Sequence, residues 1–225
     1  MEILNKVENE KLTNELLSEF YQIEPATVGH HLEYGFMNPS VKSILENVKV
    51  VGKAFTVRIS ADDSTLVHKA VSMAGEGDVI VIDRTGDNKH AAVGEMVAYA
   101  ANVRKVSGII LDGPCTDIVA LKEIGLPIFA TGLSPITTKL RGINGEINTT
   151  VQCGGVTVNP GDLIVADDNG VLVLNKSLDY LNILEKAKSS EASEPTTKEK
   201  LNKGEVLSSI TKADELINKM FDEGI

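Results

Sequence analysis

GEGDVIVIDRTGDNKHAAVGE, residues 75–95, contains in order a turn, a buried strand, a polar loop and the start of a helix. VIVID, 79–83, is a continuous apolar run without polar alternation, the mark of a strand covered on both faces. The helix that opens at Gly94-Glu95 runs to about Lys105. GIILDG, 108–113, then gives a second buried strand, a helix follows over 117–124, and PIFA, 127–130, is a third strand. Strand, helix, strand, helix, strand implies parallel neighbours joined by right-handed crossovers, so the fold class is α/β.

Upstream, AFTVRIS, 54–60, alternates as a strand after a break at Gly52, and 64–74 reads as helix. Leu12, Leu16, Leu17 and Phe20 recur at helical spacing, so an amphipathic helix opens the chain. Pro25 closes it, and 26–35 reads as a second short helix. Downstream the rhythm changes. TTVQCGGVTVNPGDLIVADDNGVLVL, 149–174, is a series of short β runs separated by Gly-Gly, Pro-Gly-Asp and Asp-Asn-Gly. Asn169-Gly170 is a hairpin signal, which makes the sheet mixed. PGDLIVAD echoes GEGDVIVID through similar turn-into-strand geometry. Helix resumes at Ser177, and 189–199, SSEASEPTTKE, reads as a polar, Pro-containing linker. Residues 206–221 form a further amphipathic helix that needs a surface, on a neighbouring subunit or on its own domain, because an isolated helix is marginal in water. The expected organisation is a domain over 1–188 with an N-terminal helix, a linker over 189–199 and a helical extension over 200–225.

The chain has 225 residues, enough for one sizeable core, with 32 acidic against 22 basic side chains and a formal charge of −10. This balance argues against a nucleic-acid surface, yet leaves room for a small anionic substrate in a local pocket. The start, MEILNKVENEKL, lacks the basic-then-apolar order of a signal peptide, and no apolar run reaches the length of a membrane span. Cys115 and Cys153 therefore read as free thiols in a cytoplasmic protein.

Candidate chemistry gathers at one sheet edge. The loops after VIVID and GIILDG both leave the carboxyl ends of parallel strands, where open α/β sheets place ligands. The amides of Met96 and Val97, at the start of the helix after Gly94, form a seat for a carboxylate. DGPCTD, 112–117, presents Asp112 and Asp117; read alone, Asp117 is a cap for its own helix and Glu95 a helix-start acid. The loop DRTGDNKH also concentrates Asp83, Arg84, Asp87, Lys89 and His90. Lys139 and Arg141 either bind an anionic tail or stay solvated. His30-His31, His68 and Cys115 read as packed or surface residues, and Asp167-Asp168 as part of a turn.

Gly94-Glu95, GIILDG with Asp117, GLPIFATG (125–132), CGGVTVNPGD (153–162) and ADDNGVLVL (166–174) occur in the order and spacing of the RraA-like family. The resemblance covers about 27–175. That family includes 4-hydroxy-4-methyl-2-oxoglutarate aldolases, a regulator of ribonuclease E, and proteins once mislabelled as menaquinone methyltransferases. The resemblance implies a layered β/β/α domain of the swivelling type with a mixed sheet and terminal helices. It also implies a ring-shaped homotrimer or a homohexamer with the site between subunits. It casts Asp117 as the ligand of Mg²⁺ or Mn²⁺ and Glu95 as the acid that holds a water on the metal. Gly94 and the Met96 and Val97 amides would hold a substrate carboxylate. The family's arginine falls on Thr116, whose single neutral donor is no substitute for a guanidinium fork. Arg84, directly after VIVID, is the candidate to compensate as a catalytic and substrate-binding cation. The implied function is a divalent-metal-dependent lyase, an aldolase or decarboxylase, that acts on a 2-oxo acid and releases pyruvate or a related 2-oxo acid. The alternative is a non-catalytic regulator that binds another protein such as a ribonuclease. A methyltransferase is disfavoured, since no Gly-rich nucleotide loop precedes an acidic ribose ligand.

Overall fold

The computed structural model describes residues 2–60 and 62–222. The chain enters through β1 (Glu2–Ile3), α1 (Asn14–Tyr21), α2 (Pro25–Val28) and β2 (Lys42–Ser43). The Thr13 hydroxyl caps α1 by accepting from the Leu16 amide at 3.2 Å. The second helix is shorter than the expected 26–35, a single turn that stops at Val28. β3 (Lys49–Ile59), α3 (Thr65–Met73), β4 (Asp78–Asp83), α4 (Glu95–Val103), β5 (Gly108–Leu111), β6 (Pro114–Cys115), α5 (Ile118–Ile124) and β7 (Ile128–Ala130) form the α/β core. Short strands β8 (Gly132–Leu133) and β9 (Gly145–Ile147) follow. After them come the hairpins β10 (Val151–Cys153) with β11 (Val156–Val158) and β12 (Leu163–Asp167) with β13 (Gly170–Leu174). The chain closes with α6 (Tyr180–Asn202), α7 (Leu207–Ile210) and α8 (Ala213–Asp222).

β3, β4, β5 and β7 lie side by side and parallel, as the alternation of elements requires. β3 is longer than expected because Gly52 lies inside it and does not interrupt it. A Cβ there would sit 2.3 Å from the Gly77 carbonyl oxygen, so only glycine lets the turn before β4 cross the strand. The first half of β3 pairs antiparallel with β12, and its second half pairs with β4 and β9, which makes the sheet mixed.

The faces of these strands sort the core into layers. Ile80, Ile82, Ile109, Leu111 and Ile128 face α3, α4 and α5. Their neighbours Val79, Val81, Ile110 and Phe129 face the opposite way, onto Ile164, Ala166, Val171 and Val173 of the β12–β13 hairpin. That hairpin turns Leu163, Val165, Leu172 and Leu174 outward against Phe20, Val28, Tyr180 and Leu184 of α1, α2 and α6. Helices, sheet, hairpin layer and helices therefore stack as α/β/β/α. The terminal helices add an outer layer to the β/β/α core.

The hairpin signal near Asn169-Gly170 holds with a shifted turn: Asp167 pairs with Gly170, so Asp168 and Asn169 are the loop. The stretch 189–199, read as a linker, is helical and lies wholly within α6. Asp179 caps that helix through the Asn182 amide at 3.1 Å, and Glu194 pairs with Lys198 one turn on at 3.2 Å. Pro195 removes one backbone donor from α6 without ending it. The last amphipathic stretch is broken into α7 and α8 at Lys212, whose φ is 62°. No helix among the described residues is long and apolar enough to cross a membrane.

Candidate active site

Two loops at the carboxyl edge of the parallel strands are sewn together by backbone. Val93 and Cys115 form a parallel bridge, and the Thr116 amide donates to the Val93 carbonyl at 2.9 Å. This pairing sets Gly94-Glu95 beside Thr116-Asp117.

Asp117 stands at the N-cap position of α5, but its side chain makes no bond to that helix. Its backbone is left-handed, φ 56° and ψ 39°, a conformation that costs a non-glycine residue of order 1 kcal/mol and that Asp tolerates better than most. The carboxylate points across the gap instead, where Oδ2 accepts from the Glu95 amide at 3.0 Å. Asp117 thus caps α4 in place of Gly94, which has no side chain to do so. Gly94 is what permits the approach. A Cβ on it would meet Asp117 Oδ2 at 2.5 Å and the Thr116 methyl at 2.8 Å. The expectation that Asp117 caps its own helix is therefore corrected: it caps the neighbouring one.

Helix geometry leaves the Met96 and Val97 amides without an intrahelical acceptor, at the positive end of the α4 dipole. The Glu95 and Asp117 side chains are both exposed beside them, and Thr116 is partly exposed. Thr116 Oγ1 lies 3.5 Å from Asp117 Oδ1. A groove of about 270 Å³, lined by Thr116, Asp117, Ile118, Leu133, Ser134 and Pro135, runs along this edge. The wall at 133–135 was not foreseen as part of the site. Its placement follows from the β6–β8 pairing, Cys115 to Leu133, between strands too short to leave a pattern in sequence. A larger cleft of about 570 Å³ between α1 and the start of α6 is lined by Lys11, Leu16, Leu178 and Tyr180, and none of the expected site residues reaches it.

Arg84 occupies a different position from the groove. It is 0 % exposed, and its guanidinium donates to Asp87 Oδ2 at 3.0 Å and to the His90 carbonyl. Burial acts to raise the Asp87 carboxyl, but the Lys89 and His90 amides, the His90 ring and the Arg84 charge hold it below its usual range. Arg84 therefore braces its own loop, the one that ends at Gly94. It does not line the groove.

Other candidates separate from the site. His31 bonds Ser190 of α6 at 2.7 Å, and His68 is exposed on α3. Burial pushes the Cys115 thiol up to about 11, which leaves no nucleophile at neutral pH. Cys153 is likewise buried and free. Arg141 pairs with Asp62 at 2.9 Å, while Asp63 pins the same segment by accepting from the Arg141 and Ile143 amides. Asp168 accepts from the Asn47 and Val48 amides, as a turn residue does.

Among the described residues no three His, Cys, Asp or Glu side chains converge. A cation here would rest on Asp117 and water, with the Glu95 carboxylate nearby. Hard oxygen donors and a mostly aqueous shell suit Mg²⁺ or Mn²⁺. The donor set fits such an ion.

Residues 26–173 match the family model "RraA-like: Aldolase/RraA". A Halalkalibacterium halodurans protein that carries the provisional name 4-hydroxy-4-methyl-2-oxoglutarate aldolase is 39% identical over 180 residues, 79% of this chain and 84% of that protein. Among solved structures, an uncharacterised protein from Pseudomonas syringae pv. tomato superposes with a TM-score of 0.77 at 22% identity, covering 92% of this chain and 97% of its own. Streptomyces coelicolor RraAS2, described as an unusual member of the RNase ES inhibitor RraA family, gives a TM-score of 0.72 at 24% identity over 84% of this chain and 98% of its own. The two structures carry the fold, and the matched model together with the 39% identical relative carries the kinship: this chain belongs to the RraA-like aldolase family.

Proposed function

We propose that this chain is a divalent-metal-dependent lyase that breaks a carbon–carbon bond beside a 2-oxo acid and releases pyruvate or a related 2-oxo acid. The observation that carries this reading is the left-handed Asp117, turned from its own helix to meet the N-terminus of α4. A carboxylate held in that strained pose and left exposed is arranged for a ligand.

The Met96 and Val97 amides take the substrate carboxylate, as donors that need no reorganisation. Asp117 holds the cation, and its bond to the Glu95 amide fixes the direction of its free oxygen. Mg²⁺ or Mn²⁺, when bound, supplies the electron sink for the carbanion left next to the 2-oxo group. Glu95 accepts and returns a proton at its carboxylate through water. Gly94 keeps the two loops close, and Arg84 acts as a positioning residue for the loop that leads to Gly94. Thr116 contributes one neutral hydroxyl near Asp117, so the preferred substrate differs from that of relatives with arginine there.

The groove at Asp117 is open and, at about 270 Å³, small for a substrate site. Exposed Met96, Tyr99 and Val103 on α4 and Leu133 beside the groove form an apolar rim. Both features support a homo-oligomer, a trimer or a hexamer, in which a second copy completes the site. We place the protein in the cytoplasm, with a small-molecule partner and neither nucleic acid nor membrane.

Thr116 in the arginine position favours a second reading, a non-catalytic regulator that binds another protein. A panel of 2-oxo acids with Mg²⁺ or Mn²⁺, followed by coupled detection of pyruvate, separates the two. Metal-dependent turnover of at least one member supports the lyase. A panel with no turnover, by a protein that still binds Mn²⁺, supports the regulator.

A further inference from the structure

The C-terminal helices bury almost nothing of their own chain. Leu216, Ile217, Met220 and Phe221 share one face of α8, and all are exposed, Phe221 at 81 %. Helix α6 packs on the body through Ala187, and among the described residues its last side-chain hydrogen bonds to the body are Ser190 with His31 and Glu191 with Thr27. Beyond Glu191 it continues to Asn202, about 16 Å of further helix. Only the short joint before Leu207 follows, so α6 is a strut that carries α7 and α8 away from the outer helical layer.

A second unpartnered apolar surface lies on the other side of the molecule. It consists of Met96, Tyr99 and Val103 along α4, with Leu133, Leu140 and Ile143 beyond. Two β layers separate α4 from α6. At about 10 Å per layer, α6 lies roughly 30 Å from the α4 face of its own chain. That face of its own chain is therefore the wrong partner for the arm that α6 carries.

We propose that α7–α8 docks on the α4 and 133–143 surface of a second copy of this chain and roofs that copy's Asp117 groove. The proposal rests on the reading of the site as shared between subunits and names the segment that shares it. Area supports the choice of occupant. A large side chain that goes from exposed to buried removes roughly 100 Å² of apolar surface. One arm thus offers about 400 Å², well short of a stable interface. A copy that both gives an arm and receives one covers about 800 Å² in all, against one partner in a reciprocal pair and divided between two neighbours in a ring. Only identical chains supply both surfaces in equal number. α8 begins with Asp214 and Glu215 and carries Lys219 in its last turn, while Lys122 of α5 and Lys139 of the 133–143 segment are exposed.

The test uses the full chain with a benzophenone amino acid in place of Phe221, in an equal mixture of light and heavy-isotope protein. Irradiation should give mixed-isotope peptides that join position 221 to 96–103 or 133–143. Adding Leu216→Asp should lower their yield at least tenfold. Light scattering on the same samples separates the two levels of the account. An oligomer whose cross-links stay within one chain, reach other peptides, or do not form overturns this proposal and leaves the shared site standing. A monomer overturns both.

Discussion

Replacing Gly94 with Ala tests whether the two loops must meet as closely as they do. Gly94 has φ −138° and ψ −165°, extended backbone that any residue adopts, so the substitution brings no backbone strain. What it brings is a methyl group 2.5 Å from Asp117 Oδ2 and 2.8 Å from the Thr116 methyl. The Thr116 backbone is held by the hydrogen bond its amide donates to the Val93 carbonyl, so the Asp117 carboxylate must move and give up the Glu95 amide. A hydrogen bond to a charged group contributes about 1.5–3 kcal/mol. Its loss should weaken Mn²⁺ binding about 10- to 150-fold. The displaced carboxylate is exposed and turns into water, so the protein should still fold. The assay is a Mn²⁺ titration followed by electron paramagnetic resonance, with circular dichroism melts of both proteins as control. Unchanged Mn²⁺ affinity in a folded Gly94→Ala protein would refute the argument that this contact orients the ligand.

Asp117→Asn keeps a residue that tolerates the left-handed backbone and removes the charge, so it should melt within a few degrees of wild type while metal-dependent turnover is lost. Arg84→Met leaves buried Asp87 without its cation and should cost about 3–5 kcal/mol, a fall of roughly 6–20 °C in Tm read by calorimetry. Arg84→Lys should recover only part of this, since an ammonium does not reproduce the two-bond fork. Burial acts to raise the Asp63 carboxyl, yet bonds from the Thr65 hydroxyl and the Ile143, Thr65 and Arg141 amides hold it well below the usual carboxylate range. Its contribution to stability is then full above its unfolded value, about 4, and is lost as pH falls toward the lower folded value. Urea unfolding of Asp63→Asn should accordingly show a weaker loss of stability below about pH 4 than wild type. Cys115→Ala should retain most activity, and iodoacetamide should leave native Cys115 unmodified at pH 8, as mass spectrometry can read.

The parallel core was legible in the sequence because VIVID, GIILDG and PIFA each state their burial without help from distant residues. The hairpins were legible because glycine and asparagine mark turns locally. What stayed hidden depends on partners far along the chain. Asp117 looks like an N-cap in any local window, and only the bridge from Val93 to Cys115 turns its carboxylate toward α4. Arg84 carried the right charge at the right sheet edge, but its burial beneath its own loop comes from Asp87 and His90 folding back on it. The stretch 189–199 misled through composition: Pro195 and the serines suggest a linker, while the Glu, Ala and Lys around them sustain helix. Sequence position alone placed Glu95, Asp117 and Thr116 within the same region, and the structure supplied their relative pose.

The central claim is metal-dependent cleavage at Asp117, and pyruvate release against Mn²⁺ concentration in wild type and Asp117→Asn tests it most directly. The account expects a rate that saturates with Mn²⁺ in wild type, vanishes with a chelator, and falls at least a hundredfold in Asp117→Asn at the same Mn²⁺, in line with the loss of an interaction of about 3 kcal/mol. Pyruvate release that ignores the chelator, or that proceeds equally in Asp117→Asn, would contradict it.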